Sequence, residues 1–124
     1  MTRKQFINLF TDFFQKALML HNKRQKYGIQ SLEEEVEDLD DENFKTGLRM
    51  VIDEVEPGII DEIFTNKISF EKCKYRRIYM AIVKRALLGI QEGLRYSSFI
   101  SVLLSMVKLT KKEQSKIDVI LLED

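Results

Sequence analysis

Eight carboxylates occupy the ten positions from Glu33 to Glu42, EEEVEDLDDE. Such a density suits three kinds of chemistry: holding a hard cation, solvating a helix face, or meeting a basic partner. The DLDDENF segment has the oxygen-rich composition of a calcium loop. Counting from Asp38, however, Asn43 stands where that loop needs its turn glycine, and Arg49 stands where it needs the bidentate glutamate. No metal site is expected. Leu32, Val36 and Leu39 recur at helical spacing inside the run, so its carboxylates also read as the outer face and first turns of helices, where negative charge is favourable against the dipole. No lysine or arginine is interspersed, and uncompensated like charges this close repel one another. A docking surface for a basic partner is the functional reading that remains.

The other reactive residue types are sparse. His21 and Cys73 are the single histidine and the single cysteine. Neither has a neighbouring ligand at metal spacing or a third member for a nucleophilic triad. His21 is expected at the surface or half-buried, and Cys73 as a buried thiol. The run KCKYRR, Lys72 to Arg77, followed by Lys84 and Arg85, is the basic counterpart of the acidic segment. A tyrosine among arginines can stack bases, but this patch is short and lies on an amphipathic helix; it reads as a solvated face or an internal partner for the acidic run. The alternative is a soluble helical regulator that binds a small ligand or nucleic acid through residues 72–85. GLRMVIDEVEPG and LLGIQEGL contain glycines without the phosphate-cradling spacing of a nucleotide loop. No catalytic residue and no cofactor are expected, so the chain reads as a non-enzyme.

The elements that must position these residues are helices. One proline and five glycines, with apolar residues recurring every three and four positions, predict an all-α fold, a compact bundle of about six to seven short to medium helices in one domain over residues 1–124. Capping-box spacings at Thr2 with Gln5, Ser31 with Glu34 and Thr110 with Glu113 predict helices near 3–23, 32–39 and 111–121. Asp40 or Asp41 caps a helix whose stripe is Phe44, Leu48, Val51, Ile52 and Val55. Pro57 suits the first turn of another with Ile59, Ile60, Ile63 and Phe64. Ser69 is expected to cap a long helix to about Leu94, and Ser97 or Ser98 the next, with Phe99, Val102, Leu103 and Met106. The apolar face of the first helix, Phe6, Phe10, Phe13, Phe14, Ala17 and Leu18, is wide enough for either the core or a self-association seam, and a homo-oligomer, a dimer, is the expectation.

Charge and hydropathy exclude several classes. Twenty Lys and Arg balance twenty Asp and Glu, so the chain as a whole has no electrostatic reason to bind nucleic acid, and none is expected as partner. The longest uncharged stretch, Tyr96 to Val107, is too short for a membrane span and reads as a core helix. After the first residues, MTRKQF, the apolar run is interrupted by Asp12, Gln15 and Lys16, and the start does not read as a signal peptide. A cytoplasmic protein is expected.

Two segments carry a resemblance. KYGIQSLEEEVEDLDDENFKTGLRMVIDEVEPGIIDEIF, from Lys26 to Phe64, resembles the cytoplasmic loop of the flagellar stator A subunit, the MotA family. There a basic-glycine element precedes an "SLE" helix, then a "GL–LVVDG–P" segment and an "IREIL" helix. ALLGIQEGL, Ala86 to Leu94, resembles the "GILAIQEGL" segment that follows that family's last membrane helix. Together they span roughly residues 20–95, in the family's order. The family's four membrane helices have no counterpart here, since Phe64 to Lys84 joins the two segments through polar, basic sequence.

The resemblance implies the cytoplasmic region of a stator unit, without an ion pathway of its own. It also implies charged contact with a rotor switch protein of the FliG kind, or with other motor or stator components, at the cytoplasmic side or peripherally at the inner membrane near the flagellar motor. On this likeness the loop's functional glutamate falls on Glu33. The basic pair ahead of the glycine keeps Lys26, while its other position is Gln25, with Arg24 one residue away. Arg24, Lys26, Glu33, Glu34 and Glu37 are therefore the expected partner-binding residues.

Overall fold

A computed structural model describes residues 1–123, and among these there is no strand. Six α-helices and one 3-10 helix build the all-α bundle that the apolar spacing predicts. Helix α1, Arg3–Tyr27, starts in a complete capping box: Thr2 Oγ1 accepts the Gln5 N–H at 3.1 Å and Gln5 Oε1 accepts the Thr2 N–H at 2.8 Å. It runs a turn past the expected end, because nothing before Gly28 stops it. Gly28 does so at φ 90, a conformation that costs a residue with a Cβ far more.

The following 3-10 helix, Ile29–Asp38, departs from the sequence expectation. Ser31 is not an N-cap: its hydroxyl donates to the Gly28 carbonyl at 2.7 Å, inside a segment that has already begun. Leu32 and Val36 are buried beneath it. Asp41 then caps α2, Glu42–Ile52, accepting the Asn43 and Phe44 N–H groups at 2.9 and 3.3 Å. A cap of this type is worth about 1 kcal/mol.

Between α2 and α3 the chain turns at Glu54, whose φ of 59 lies in the left-handed region. Glycine stands at this point in the "LVVDG" segment of the resemblance. Pro57 takes the first position of α3, Pro57–Phe70, as expected. That helix runs through Ser69, whose hydroxyl donates to the Asn66 carbonyl instead of capping the next helix. Cys73 holds the N-cap position of α4, Lys74–Glu92, half-buried and not fully buried as expected. Helix α5, Tyr96–Leu104, begins before Ser97 and Ser98, which lie exposed in its first turn. The Thr110–Glu113 box starts α6, Lys111–Glu123, with reciprocal bonds of 2.9 and 3.2 Å.

Helices α1, α4 and α6 run parallel. Near their starts Phe6 stacks on Tyr75 at 4.9 Å and Arg3 pairs with Glu113 at 2.8 Å. Further along, Arg24 meets Ile90 of α4, and Met19 and Ile120 border one cleft. Three N-termini therefore share one end of the bundle. One hydrophobic core draws on every element, from Phe10 and Phe14 through Leu32, Leu48, Phe64, Leu87 and Phe99 to Ile117. The six apolar residues of α1 that could have formed a self-association seam are all in this core. Gly47 lets α2 approach α3 and α4: a Cβ there would lie 2.2 Å from Leu87 Cδ1 and 3.0 Å from the Phe64 ring.

His21 departs from expectation too, being fully buried. Its ring stacks on Phe99 at 4.4 Å, and Nε2–H donates to the Leu94 carbonyl at 2.6 Å. Nδ1 is enclosed without a hydrogen-bond partner among the described residues.

Candidate functional site

The acidic face is built on the 3-10 helix, where Leu32 and Val36 point into the core, Glu35 is half-buried, and Glu33, Glu34 and Glu37 point out. Glu33, Glu34 and Glu37 keep 64%, 74% and 72% of their side-chain surface exposed. The run is not uncompensated, as its sequence suggests. Lys23 of α1 bonds both Glu34 and Glu35, the latter at 2.8 Å. Arg49 of α2 reaches Glu37 at 2.5 Å and Glu33 at 3.9 Å, and Lys45 reaches Glu37 at 3.2 Å. These cations lie on the two helices flanking the run, eight or more positions from the carboxylates they meet, so no i, i+4 pattern announces them. Exposed pairs of this kind contribute at most about 1 kcal/mol each, so their main effect is to hold carboxylates in place at the surface.

The remainder of the acidic run gathers around a concavity of about 270 Å³ beside the start of α2. Asp38, Asp40 and Asp41 meet Asp12 and Lys16 of α1 there, over Phe13, Phe44 and Tyr79. Burial, and then the Asp41 carboxylate, push the Tyr79 phenol above its ordinary pKa. Sequence reasoning missed Asp12 and Tyr79, which arrive from distant segments. Among the described residues no three His, Cys, Asp or Glu side chains are placed to hold a metal ion.

The two expected basic residues part company. Lys26 is exposed near the end of α1, its ammonium 5.3 Å from the Tyr27 ring centroid. Arg24 turns inward to the C-terminus of α4: Nε donates to the Ile90 carbonyl at 2.8 Å and Nη2 to the Gln91 carbonyl at 3.1 Å. Those are carbonyls of a last turn, where a cation is favourable; Ile90 also accepts the Gly93 N–H at 3.2 Å. Gly93, at φ 74, ends α4 there, and a Cβ on it would lie 3.1 Å from the Arg24 guanidinium carbon. Gln25 adds a 3.2 Å bond to the Leu94 carbonyl, and Gln91 reaches back to Val55 at 2.6 Å. The IQEGL segment is thus a junction between the end of α1, the turn before α3 and the end of α4.

Half of the basic face, Arg76, Arg77 and Lys84, is spent inside the fold, while Lys72 and Lys74 stay exposed. Arg76 pairs with Glu71 at 2.7 Å, Arg77 donates to the Glu71 and Lys72 carbonyls at 2.9 Å, and Lys84 pairs with Asp61 at 2.9 Å. At the N-cap of α4, the backbone N–H of Arg76 lowers the Cys73 thiol below its usual value.

Fold and face together define an all-helical bundle with a fixed, exposed array of carboxylates. Comparison with known proteins finds a similarity to Motility protein A of Treponema phagedenis, 33% identical over 66 residues. The aligned part is 53% of this chain and 26% of that protein, so the chain matches about a quarter of the relative's length. The relationship is MotA-like. No family model matches the chain, and no solved structure matches it. No helix among the described residues is long and apolar enough to cross a membrane.

Proposed function

We propose that the chain is a non-enzymatic, motility-related interaction module, the counterpart of a stator subunit's cytoplasmic region, which docks to a rotor switch protein or another motor component without conducting ions itself. The observation that carries this reading is the coincidence of the MotA-like similarity with Glu33, Glu34 and Glu37 standing exposed on a segment whose apolar side is locked into the core. Lys26 is exposed in the last turn of α1, just before Gly28. Arg24 ties the end of α1 to the end of α4. Charges of this kind at a rim set register and association rate more than affinity.

The test is capture of purified rotor and stator proteins by the tagged chain, with association rates at low and moderate salt, for wild type and for the Glu33→Lys, Glu34→Lys double variant. Wild type is expected to capture a motor protein with a salt-sensitive rate that falls about tenfold in the variant while helicity is unchanged. Capture of no motor protein, or the same rate for the variant, overturns the reading.

A further inference from the structure

Residues 1–8, 67–77 and 108–116 contain eleven of the chain's twenty Lys and Arg but only two of its twenty Asp and Glu. The fold brings all three segments to the end of the bundle where α1, α4 and α6 begin. Arg3 links them: its guanidinium bonds Glu113 at 2.8 Å and the Lys108 carbonyl at 2.6 Å, and Phe6, three positions on, stacks on Tyr75 of α4. The two carboxylates, Glu113 and Glu71, are both consumed by arginines, Arg3 and Arg76. What remains outward is lysine: Lys4, Lys72, Lys74, Lys108, Lys111 and Lys112 are exposed and have no carboxylate partner among the described residues. Beside them Phe70, at the close of α3, is 83% exposed.

Fold stability does not account for this arrangement. Cations at helix N-termini oppose the dipole, and most of these lysines sit in or next to the first turns of α4 and α6. An anionic surface meeting that end would be favoured by the lysines and by the helix ends alike. We propose that this end of the bundle binds peripherally to a bilayer rich in anionic phospholipid, the lysines lying over the headgroups and Phe70 entering the interface. Lysine point charges suit a diffuse layer of headgroups, and an aromatic set at the edge of a basic patch is the usual interfacial anchor. Base-by-base recognition of nucleic acid asks instead for free arginine forks and stacking faces. Here Arg3, Arg76 and Arg77 are engaged, and Tyr75 is already stacked. This inference does not rest on the motor reading, because it uses a different surface.

The test is co-sedimentation of the whole chain with vesicles of phosphatidylcholine alone and with added phosphatidylglycerol, across salt concentration. Lys72→Glu, Lys74→Glu, Lys112→Glu as a triple variant and Phe70→Ser on its own are compared with wild type, each checked for helicity by circular dichroism. Wild type is expected on the anionic vesicles only, with binding that weakens as salt rises. The triple variant should bind about a hundredfold more weakly and Phe70→Ser several-fold more weakly. Failure to bind, equal binding to both vesicle types, or full binding by the folded triple variant overturns the proposal. Stronger binding to a single-stranded oligonucleotide than to the anionic vesicles, lost in the same variant, overturns it in favour of nucleic acid.

Discussion

At the scale of single residues, the charged positions before and after Gly28 divide into those that hold the fold and those that face outward. Arg24 is of the first kind, its guanidinium bonded to the Ile90 and Gln91 carbonyls and lying against Gly93. Hydrogen bonds from a charged donor are worth about 1.5–3 kcal/mol when partly buried. Arg24→Met is therefore expected to lower unfolding stability by about 2 kcal/mol in urea titration, and Glu33→Lys to change it by less than about 1 kcal/mol. Equal losses for the two variants would count against this division. Ser31 and Leu32 likewise serve the fold, the one bonded to Gly28 and the other buried. In the SLE element only Glu33 is exposed.

Among the elements, α6 is held at its start by one carboxylate with several duties. Glu113 closes the capping box with Thr110 and pairs with Arg3. The Arg3 guanidinium, and then the Thr110 N–H, lower its carboxyl from the ordinary 4.5 to about 2. A carboxyl whose folded value lies below its unfolded one contributes fully above pH 4.5, and loses that contribution as pH falls toward about 2. Hydrogen exchange should show α6 losing protection within that window ahead of α1 and α4, whereas Glu113→Gln lacks the step. Coincident loss in both proteins would remove Glu113 from the account.

This helix also shows what the sequence makes legible. The boxes at Thr2 and Thr110, the Asp41 cap and Pro57 are local signals, and all four mark real starts. The serines at 31, 69 and 97–98 mislead, since a serine hydroxyl bonds a carbonyl within its own turn as readily as it caps one. The 3-10 geometry of residues 29–38 has no local cause in the pattern, whose spacing of Leu32 and Val36 fits an α-helix. The cations facing the acidic run are equally invisible in the pattern. Lys23, Lys45 and Arg49 meet it only after α1 and α2 close around it. The burial of His21 depends on Phe99 and Leu94, more than seventy positions away.

For the molecule as a whole, neutrality is a sum over two unlike regions. The parallel helices α1, α4 and α6 put most of the cations beside their N-termini, while Glu33, Glu34 and Glu35 lie toward the other end of α1, beside Lys23. The acidic face and the basic end use different residues, so the Glu33→Lys, Glu34→Lys variant should bind anionic vesicles as well as wild type does, and sedimentation of the two in parallel checks it. Parallel helices have a further effect. The peptide dipoles of α1, α4 and α6 add; α3, which runs back against α4, offsets part of that sum, and the side-chain charges reinforce what remains. A molecule polarised in this way attracts its own kind head to tail, and such contacts continue into open chains, since no symmetry closes them. Although its pI is near 6.6, the protein should therefore be least soluble in dilute buffer and should dissolve as salt is added, the salting-in of a strongly dipolar solute.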